Sequence, residues 1–380
     1  MKLIIHDLAE DTLRRVLPQI TAEDMVITDN ESIHPCIGCF GCWLKTPGVC
    51  IIKDTYGQMG KNIAMCSEML IISQCVYGSY SPFVKNVLDR SIPYIHPYFT
   101  VKNGEMHHRQ RYKRDFDLKV IFYGNDITPK EKGNRAKIGK GKCSQSLLYR
   151  GICHLSGFHS RNGGTENMKI ALINGSPKRK DSASGLILKE LQGLIPSENE
   201  IINLHFTKKQ PGSSDLELLQ DCSIMVFAFP LYVDSLPSHL LSCLVRLEEY
   251  LKHAAFSKDC TVYAIANCGF YEGSQNALAL DIMENWCSKA GVIWGGGLGI
   301  GAGGMMPVIS GITAGQGPKK NLSSALYTLS DRISHKETGE NICFSPNFPR
   351  ILYKLAGEMG WRQAVKNNGL SRRDLWNKQV

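Results

Sequence analysis

MKIALINGSPKRKDSASG, Met168 to Gly185, decides how this chain of 380 residues reads. Lys169 to Ile173 is a short apolar run, the pattern of a buried strand. It passes straight into a loop of Gly, Ser and Lys, and then into the helix-like stretch LILKELQGLI. A strand, a loop of small residues and a helix make an anion site, because free backbone N–H groups and the positive end of the helix dipole converge there. Ser176, Ser182 and Ser184 add hydroxyl donors without bulk, and Lys178 and Ala183 lie in the same loop. An ordinary strand–turn–helix has the same outline, so the loop needs company before it signifies a ligand.

The chain is long enough for two domains of ordinary size. HSRNGGTEN, just before Met168, reads as a linker, which predicts domains over 1–160 and 168–380. The first half opens on a comparable strand, MKLIIHDL, and carries a second repeated signature. SEMLIISQCVYGSYSP (Ser67 to Pro82) parallels CSIMVFAFPLYVDSLP (Cys222 to Pro237), pairing Tyr77 and Pro82 with Tyr232 and Pro237. The separation is far too long for a solenoid, whose periods run roughly 20–50 residues, and predicts a tandem duplication. The copies are not equivalent. Where the second has INGSPKRKDSAS, the first has IHDLAEDT, in which Asp7, Glu10 and Asp11 would repel a phosphate.

INGSP-type openings mark the phosphate loop of the flavodoxin-like, NAD(P)H-dependent FMN reductases, and this segment resembles them. The tail FSPNFPRILYKLAGEMGWR, Phe344 to Arg362, is similar to the closing segment of clostridial-type members. The resemblance implies an α/β chain of two tandem flavodoxin-like three-layer domains, each with a parallel sheet of about five strands. It further implies one FMN in the second half, reduced by NAD(P)H or by a small electron carrier such as ferredoxin, with electrons passing to a second acceptor. A fused pseudo-dimer and a homodimer of the chain both follow from relatives that work as dimers. Two other readings stay open: a flavin-bound electron-transfer protein without turnover of its own, and a thiol-sensing interaction module.

Two later loops would complete a flavin pocket. VFAFP runs into Pro230, Leu231, Tyr232 and Val233; TVYAIAN ends at Asn267 and runs into Cys268, Gly269, Phe270, Tyr271 and Glu272. In a doubly wound sheet ligands sit off the carboxyl ends of the strands, where these loops and the phosphate loop would meet. Two Gly-rich stretches are set aside. GIGAGG (Gly299 to Gly304) fits G-x-G-x-x-G, but Met305, Met306 and Pro307 follow where a helix should start. GKGKC (Gly139 to Cys143) lacks the spacer and the hydroxyl residue of a P-loop.

Cys36, Cys39, Cys42 and Cys50 form a C-x2-C-x2-C-x7-C array in PCIGCFGCWLKTPGVC. The compact triple is a spacing used for Fe–S clusters, and it resembles the cysteine segment of the iron–sulfur flavoproteins, which implies a 4Fe–4S centre. Zinc and plain reduced thiols remain alternatives. The other cysteines lie mostly in apolar runs, such as Cys66, Cys75 and Cys222, where Cys acts as a small hydrophobe. No signal peptide opens the sequence, so a reducing cytoplasm is expected. Hydrophobic content of 43% supports a sizeable core, and no apolar run approaches a membrane span. The net charge of +9 is concentrated in part at HHRQRYKR (His107 to Arg114) and PKEKGNRAKIGKGK (Pro129 to Lys142). These read as solvated loops or as a docking face for an acidic carrier, with no nucleic-acid motif beside them.

Overall fold

The strands that read as unbroken apolar runs are the buried centres of two parallel sheets. In the computed structural model, residues 1–112, 115–138, 167–253 and 259–378 are described. GKGKC, and the linker up to residue 166, lie outside them. The chain divides into two units: Met1–Leu147 with Arg350–Val380, and Leu148–Pro349. The expected boundary at 168–380 therefore differs at its far end. The last segment packs with the first unit, for reasons visible in its contacts.

The first unit contains β1 (Lys2–His6), β2 (Met25–Ile27), β3 (Glu68–Gln74), β4 (Ile95–Lys102), β5 (Glu105–Gln110) and β6 (Asp117–Tyr123). Four of these form a parallel sheet in the order β2-β1-β3-β6, while β4 and β5 pair only with each other, antiparallel. Asn103 and Gly104 make that hairpin, both with positive φ (52° and 85°), as a two-residue turn demands. The helix Arg350–Asn367 completes this unit. Arg111 donates from Nε to Pro93 O and from Nη1 to Leu375 O and Asn377 O, and Arg109 pairs with Glu358 at 3.1 Å. Tyr98, Val365 and Leu375 form a small core with Trp361 packed on it. Within the basic stretch, His107 and Arg111 are thus buried and not on a solvated loop.

The second unit contains β7 (Lys169–Asn174), β8 (Glu200–His205), β9 (Ile224–Pro230), β10 (Thr261–Asn267), β11 (Ile293–Ile300) and β12 (Ile342–Phe344). They form one sheet, β12-β11-β10-β9-β7-β8, parallel throughout. β10 is buried along its whole length, as a central strand covered on both faces must be. Alternate residues face opposite layers. Leu172, Val226, Ala228, Ile265 and Ile300 pack with Ile187 and Leu191 of the helix Ala183–Gln192 and with Leu326 of the helix Lys320–His335. Phe227, on the other parity, meets Trp286 of the helix Ala277–Ala290 with ring centroids 5.6 Å apart.

Both sheets thus share the order 2-1-3-4 in their first four parallel strands, the flavodoxin-like arrangement. Among the described residues the two parallel sheets have four and six strands, either side of the five expected in each. The short β12 extends the second sheet, and the Asn103-Gly104 turn folds β4 and β5 onto each other instead of onto the first. The repeated signature also shifts by one residue. Val76 bridges Ser79 and Tyr232 bridges Ser235, around turns with positive φ at Tyr77 and Gly78 and at Val233 and Asp234. Turn geometry therefore matches Val76, not Tyr77, to Tyr232. Among the described residues no helix is long and apolar enough to cross a membrane.

Candidate functional site

The strand order reverses at β7: the chain leaves it for β8 on one side and returns to β9 on the other. A crevice at the carboxyl ends of such strands is the ligand position of doubly wound sheets. The loop Gly175–Ser182 leaves β7 there. Ser182 is the N-cap of the helix Ala183–Gln192, with extended backbone (φ −78°, ψ 143°).

Three serine hydroxyls are oriented by the hydrogen bonds they accept. Ser182 Oγ accepts from Gly185 N (3.1 Å) and Asn174 Nδ2 (3.2 Å). Ser176 Oγ accepts from Lys178 N (3.2 Å), while Ser176 N donates to Asn174 Oδ1 (3.0 Å). Ser184 Oγ accepts from Asn267 Nδ2 (2.9 Å), and the same amide donates to Phe229 O (2.9 Å). A hydroxyl has one proton to donate, so each of the three retains its donor. All are buried, at 4%, 7% and 1% exposure for Ser176, Ser182 and Ser184. The backbone N–H groups of Ser182, Ala183 and Ser184 make no hydrogen bond to a protein acceptor among the described residues. Donors without acceptors at a helix start are what a bound anion requires. Lys178 lies outside this nest, exposed, with Nζ on Asp181 O at 3.3 Å.

The second wall follows β9. Leu231 N donates to Asn267 O at 2.8 Å, and Tyr232 and Ser235 exchange backbone hydrogen bonds around an exposed Val233. Pro230, Leu231 and Tyr232 are half-buried there. The third wall follows β10: Gly269 is exposed, and Phe270, Tyr271 and Glu272 are half-buried. Cys268 is turned inward. Its thiol lies 3.6 Å from both Phe270 O and Glu272 O and accepts from Asn276 Nδ2 at 3.4 Å; burial pushes it up to about 12. Asn267 and Cys268 therefore brace the loops from behind, while Tyr232, Val233, Gly269, Phe270 and Glu272 offer surface.

The glycine run 299–304 lies beside this wall for a steric reason. Ala302 N donates to Phe270 O and Gly303 N to Cys268 O. A Cβ on Gly301 would stand 2.1 Å from Tyr271 O, and one on Gly273 2.1 Å from Phe344 O. The run allows backbones to touch, and no pyrophosphate need be invoked. A 3-10 turn (Gly303–Met305) and a one-turn helix (Met306–Ile309) do follow it, which the sequence reading did not anticipate; Pro307 is tolerated in the first turn.

The cysteine array does not support the expected metal cluster. Cys42 is buried in the short helix Gly41–Leu44, Cys39 is exposed, and Cys36 and Cys50 are intermediate. Among the described residues no three His, Cys, Asp or Glu side chains are grouped to hold a metal ion. Burial pushes the Cys36 thiol up to about 12 and the Cys42 thiol well above its ordinary value, with neighbouring thiols adding to both. What holds the loop is aromatic: Phe40 stacks on Trp43 at 5.3 Å, and Trp361 meets both edge-on. Cys66, Cys75 and Cys222 are buried thiols.

Asn174 and Asn276 were not singled out by sequence reasoning, although each organises a loop. Asn276 is fully buried and donates from one amide to Cys268 Sγ, Gly273 O and Ile300 O. For Asn174 the signal was present: a polar residue closing an apolar strand immediately before Gly-Ser-Pro.

No family model matches the chain, and no curated protein matches it. Among solved structures, an apo NADH:FMN oxidoreductase (EMOB) is 13% identical, covers 46% of this chain and 92% of its own, and has a TM-score of 0.34. NAD(P)H:quinone oxidoreductase from Methanothermobacter marburgensis is 12% identical, with 44% and 96% covered and a TM-score of 0.34. The Trp repressor binding protein from Bacillus subtilis is 22% identical, with 34% and 81% covered and a TM-score of 0.29. These scores are too low for the likenesses to carry a functional argument, which rests on the site itself.

Proposed function

We propose that the second unit binds one FMN and that the chain is an NAD(P)H-dependent flavin oxidoreductase. The observation that carries this reading is the nest at the start of the helix Ala183–Gln192. Three buried hydroxyls keep their protons free to donate, and three backbone N–H groups lack acceptors, all at the sheet's switch point. A phosphomonoester matches such a donor set, and the half-buried loops after β9 and β10 supply an apolar and aromatic wall for a flat ring beside it. FMN, when bound, would supply the redox chemistry between the nicotinamide donor and a second acceptor. The protein's residues bind and orient it: Ser176, Ser182 and Ser184 take the phosphate, Asn174 and Asn267 hold those hydroxyls in place, and Tyr232, Val233, Gly269 and Phe270 face the ring.

The test is the visible spectrum and flavin content of the purified full chain, followed by steady-state oxidation of NADPH and NADH. One FMN per chain is expected, and the double variant Ser176→Asp, Ser182→Asp should lose it, since each carboxylate would face the phosphate in a confined site. Flavin retained at full occupancy by that variant would place the cofactor elsewhere.

A further inference from the structure

The cysteines of PCIGCFGCWLKTPGVC take no part in the proposed flavin site, yet the first unit draws together the stretches that carry them. Arg90, fully buried, is the clasp. Its Nη1 donates to His34 O (2.8 Å) and Asp54 Oδ2 (2.7 Å), and its Nη2 to Asp54 Oδ1 (2.8 Å). His34 N donates to the same Asp54 Oδ2 at 3.2 Å. His34 stands just before Cys36 and Asp54 just after Cys50, so one guanidinium ties together the two outer ends of the cysteine loop. A second contact closes the loop from within. Gly41 packs so tightly on Ile51, the neighbour of Cys50, that a Cβ there would stand 2.7 Å from Ile51 Cγ2.

The four thiols are not equivalent. Cys42 is buried, and the exposed Cys39 accepts from Gly41 N at 3.4 Å within its own turn. Cys36 and Cys50 are half-buried, within reach of a small solute. With both Nη groups of Arg90 engaged, its Nε is buried and has no hydrogen-bond partner among the described residues. Burial alone would lower this guanidinium, yet Asp54 and Cys50, the thiol beside it, hold it above its ordinary value. A fixed positive charge next to a thiol favours the thiolate, which is the nucleophilic form. Cys36 differs: burial pushes it up to about 12, with Asp89, Cys50 and Cys39 adding to the effect, so it keeps its proton.

We propose that Cys36 and Cys50 form a two-electron dithiol centre, oxidised to a disulfide by a small hydroperoxide, with Cys50 the attacking sulfur and Cys36 the resolving one. In the first step the Cys50 sulfur, its proton lost, attacks the peroxide. The O–O bond breaks, a sulfenic acid forms, and the departing hydroxide takes up that proton as water. In the second, the Cys36 sulfur attacks the sulfenic sulfur. The S–O bond breaks, and the hydroxyl leaves as water with the Cys36 proton. Two thiols are oxidised and one peroxide is reduced to two waters. This centre is independent of the flavin reading.

The experiment treats the full chain, reduced and freed of reductant, with equimolar hydrogen peroxide. Remaining thiols are then alkylated and the digest is analysed by mass spectrometry. Two thiols per chain should disappear, a linked peptide should join Cys36 to Cys50, and dithiothreitol should reverse both changes. Cys36→Ser should stop at a sulfenic acid on Cys50 that dimedone traps. Cys50→Ser should give neither linked peptide nor trapped adduct, and Cys39→Ser should form the bond as wild type does. Far-UV circular dichroism checks that each variant folds. Array thiols that survive peroxide in wild type would overturn the proposal. So would a link through Cys39 or Cys42, or dimedone on Cys39 instead of Cys50. Iron and acid-labile sulfide are measured in the same anaerobic preparation, and stoichiometric amounts lost in Cys36→Ser would assign these thiols to a cluster instead.

Discussion

Asn174 shows how a single side chain arranges the proposed anion nest. Its amide N–H donates to Ser182 Oγ and its carbonyl accepts from Ser176 N, so one residue fixes both ends of the loop. Asn174→Leu keeps the approximate volume and removes both bonds. We expect FMN affinity to fall about tenfold, the effect of one or two lost hydrogen bonds. The unit should still fold, as the residue closes β7 without entering its apolar core. Flavin fluorescence titration of the full chain measures the affinity, and far-UV circular dichroism checks the fold; unchanged affinity would mean the hydroxyls orient themselves. Asn267 works similarly from β10, holding Ser184 at 2.9 Å. The serines were legible because their types and spacing mark an anion loop. Their orienting amides were less so, because Asn267 lies 83 positions from Ser184.

At the scale of elements, the β4–β5 hairpin supports a pH prediction. His96 and His108 are held below their ordinary value, to about 3 and about 4. Burial is the first cause for both, and Arg111, Arg109 and His108 add to it for His96. The His96 ring stacks on Trp376 at 3.7 Å and accepts a hydrogen bond from Tyr98 N at Nδ1, both suited to a neutral ring. Between about pH 6.5 and 4 the unfolded chain therefore binds more protons than the folded one, and stability falls as the pH falls. It should be fully present above pH 6.5, the ordinary histidine value, and decline below it. Denaturant midpoints from pH 8 to 4 test this, with a His96→Phe, His108→Phe variant expected to flatten part of the slope. A midpoint that stays constant down to about pH 4 would contradict the burial of these rings.

For the whole chain, the decisive feature is that it returns to its first unit after Pro349. Arg350–Val380 supplies Trp361 to the cysteine loop, Glu358 to Arg109, Trp376 to His96 and two carbonyls to Arg111. Removing residues 350–380 would strip these partners and leave the buried Arg111 guanidinium with only Pro93 O. We expect the first unit to lose stability by several kcal/mol, since a hydrogen bond to a charged group is worth about 1.5–3 kcal/mol and Arg111 loses the carbonyls of both Leu375 and Asn377. The second unit should keep the proposed flavin, because none of the residues assigned to that site lies beyond Phe344. Limited proteolysis with mass spectrometry and flavin content of the truncated chain separate the two outcomes. Loss of flavin with the first unit intact would reverse the assignment of the tail.

The sequence by itself determined the elements whose signal is local. A strand entering Gly-Ser-Pro and closing on a serine N-cap marks the anion nest, because capping and loop chemistry act over a few residues. Strands as apolar as IMVFAFP and TVYAIAN had to lie at the centre of a sheet. Asn103-Gly104 was passed over in reading the sequence, although few other pairs adopt positive φ twice at low cost and the pair does turn a hairpin. Only the tertiary structure decided which unit receives the tail, because a helix with one buried side does not state what will bury it. For the cysteine array it shows Cys42 buried, Cys39 exposed and, among the described residues, no group of three side chains placed to hold a metal ion. Spacing limits which thiols are able to meet, but how deeply each is buried depends on the packing of the whole loop, in which Phe40, Trp43 and Trp361 meet.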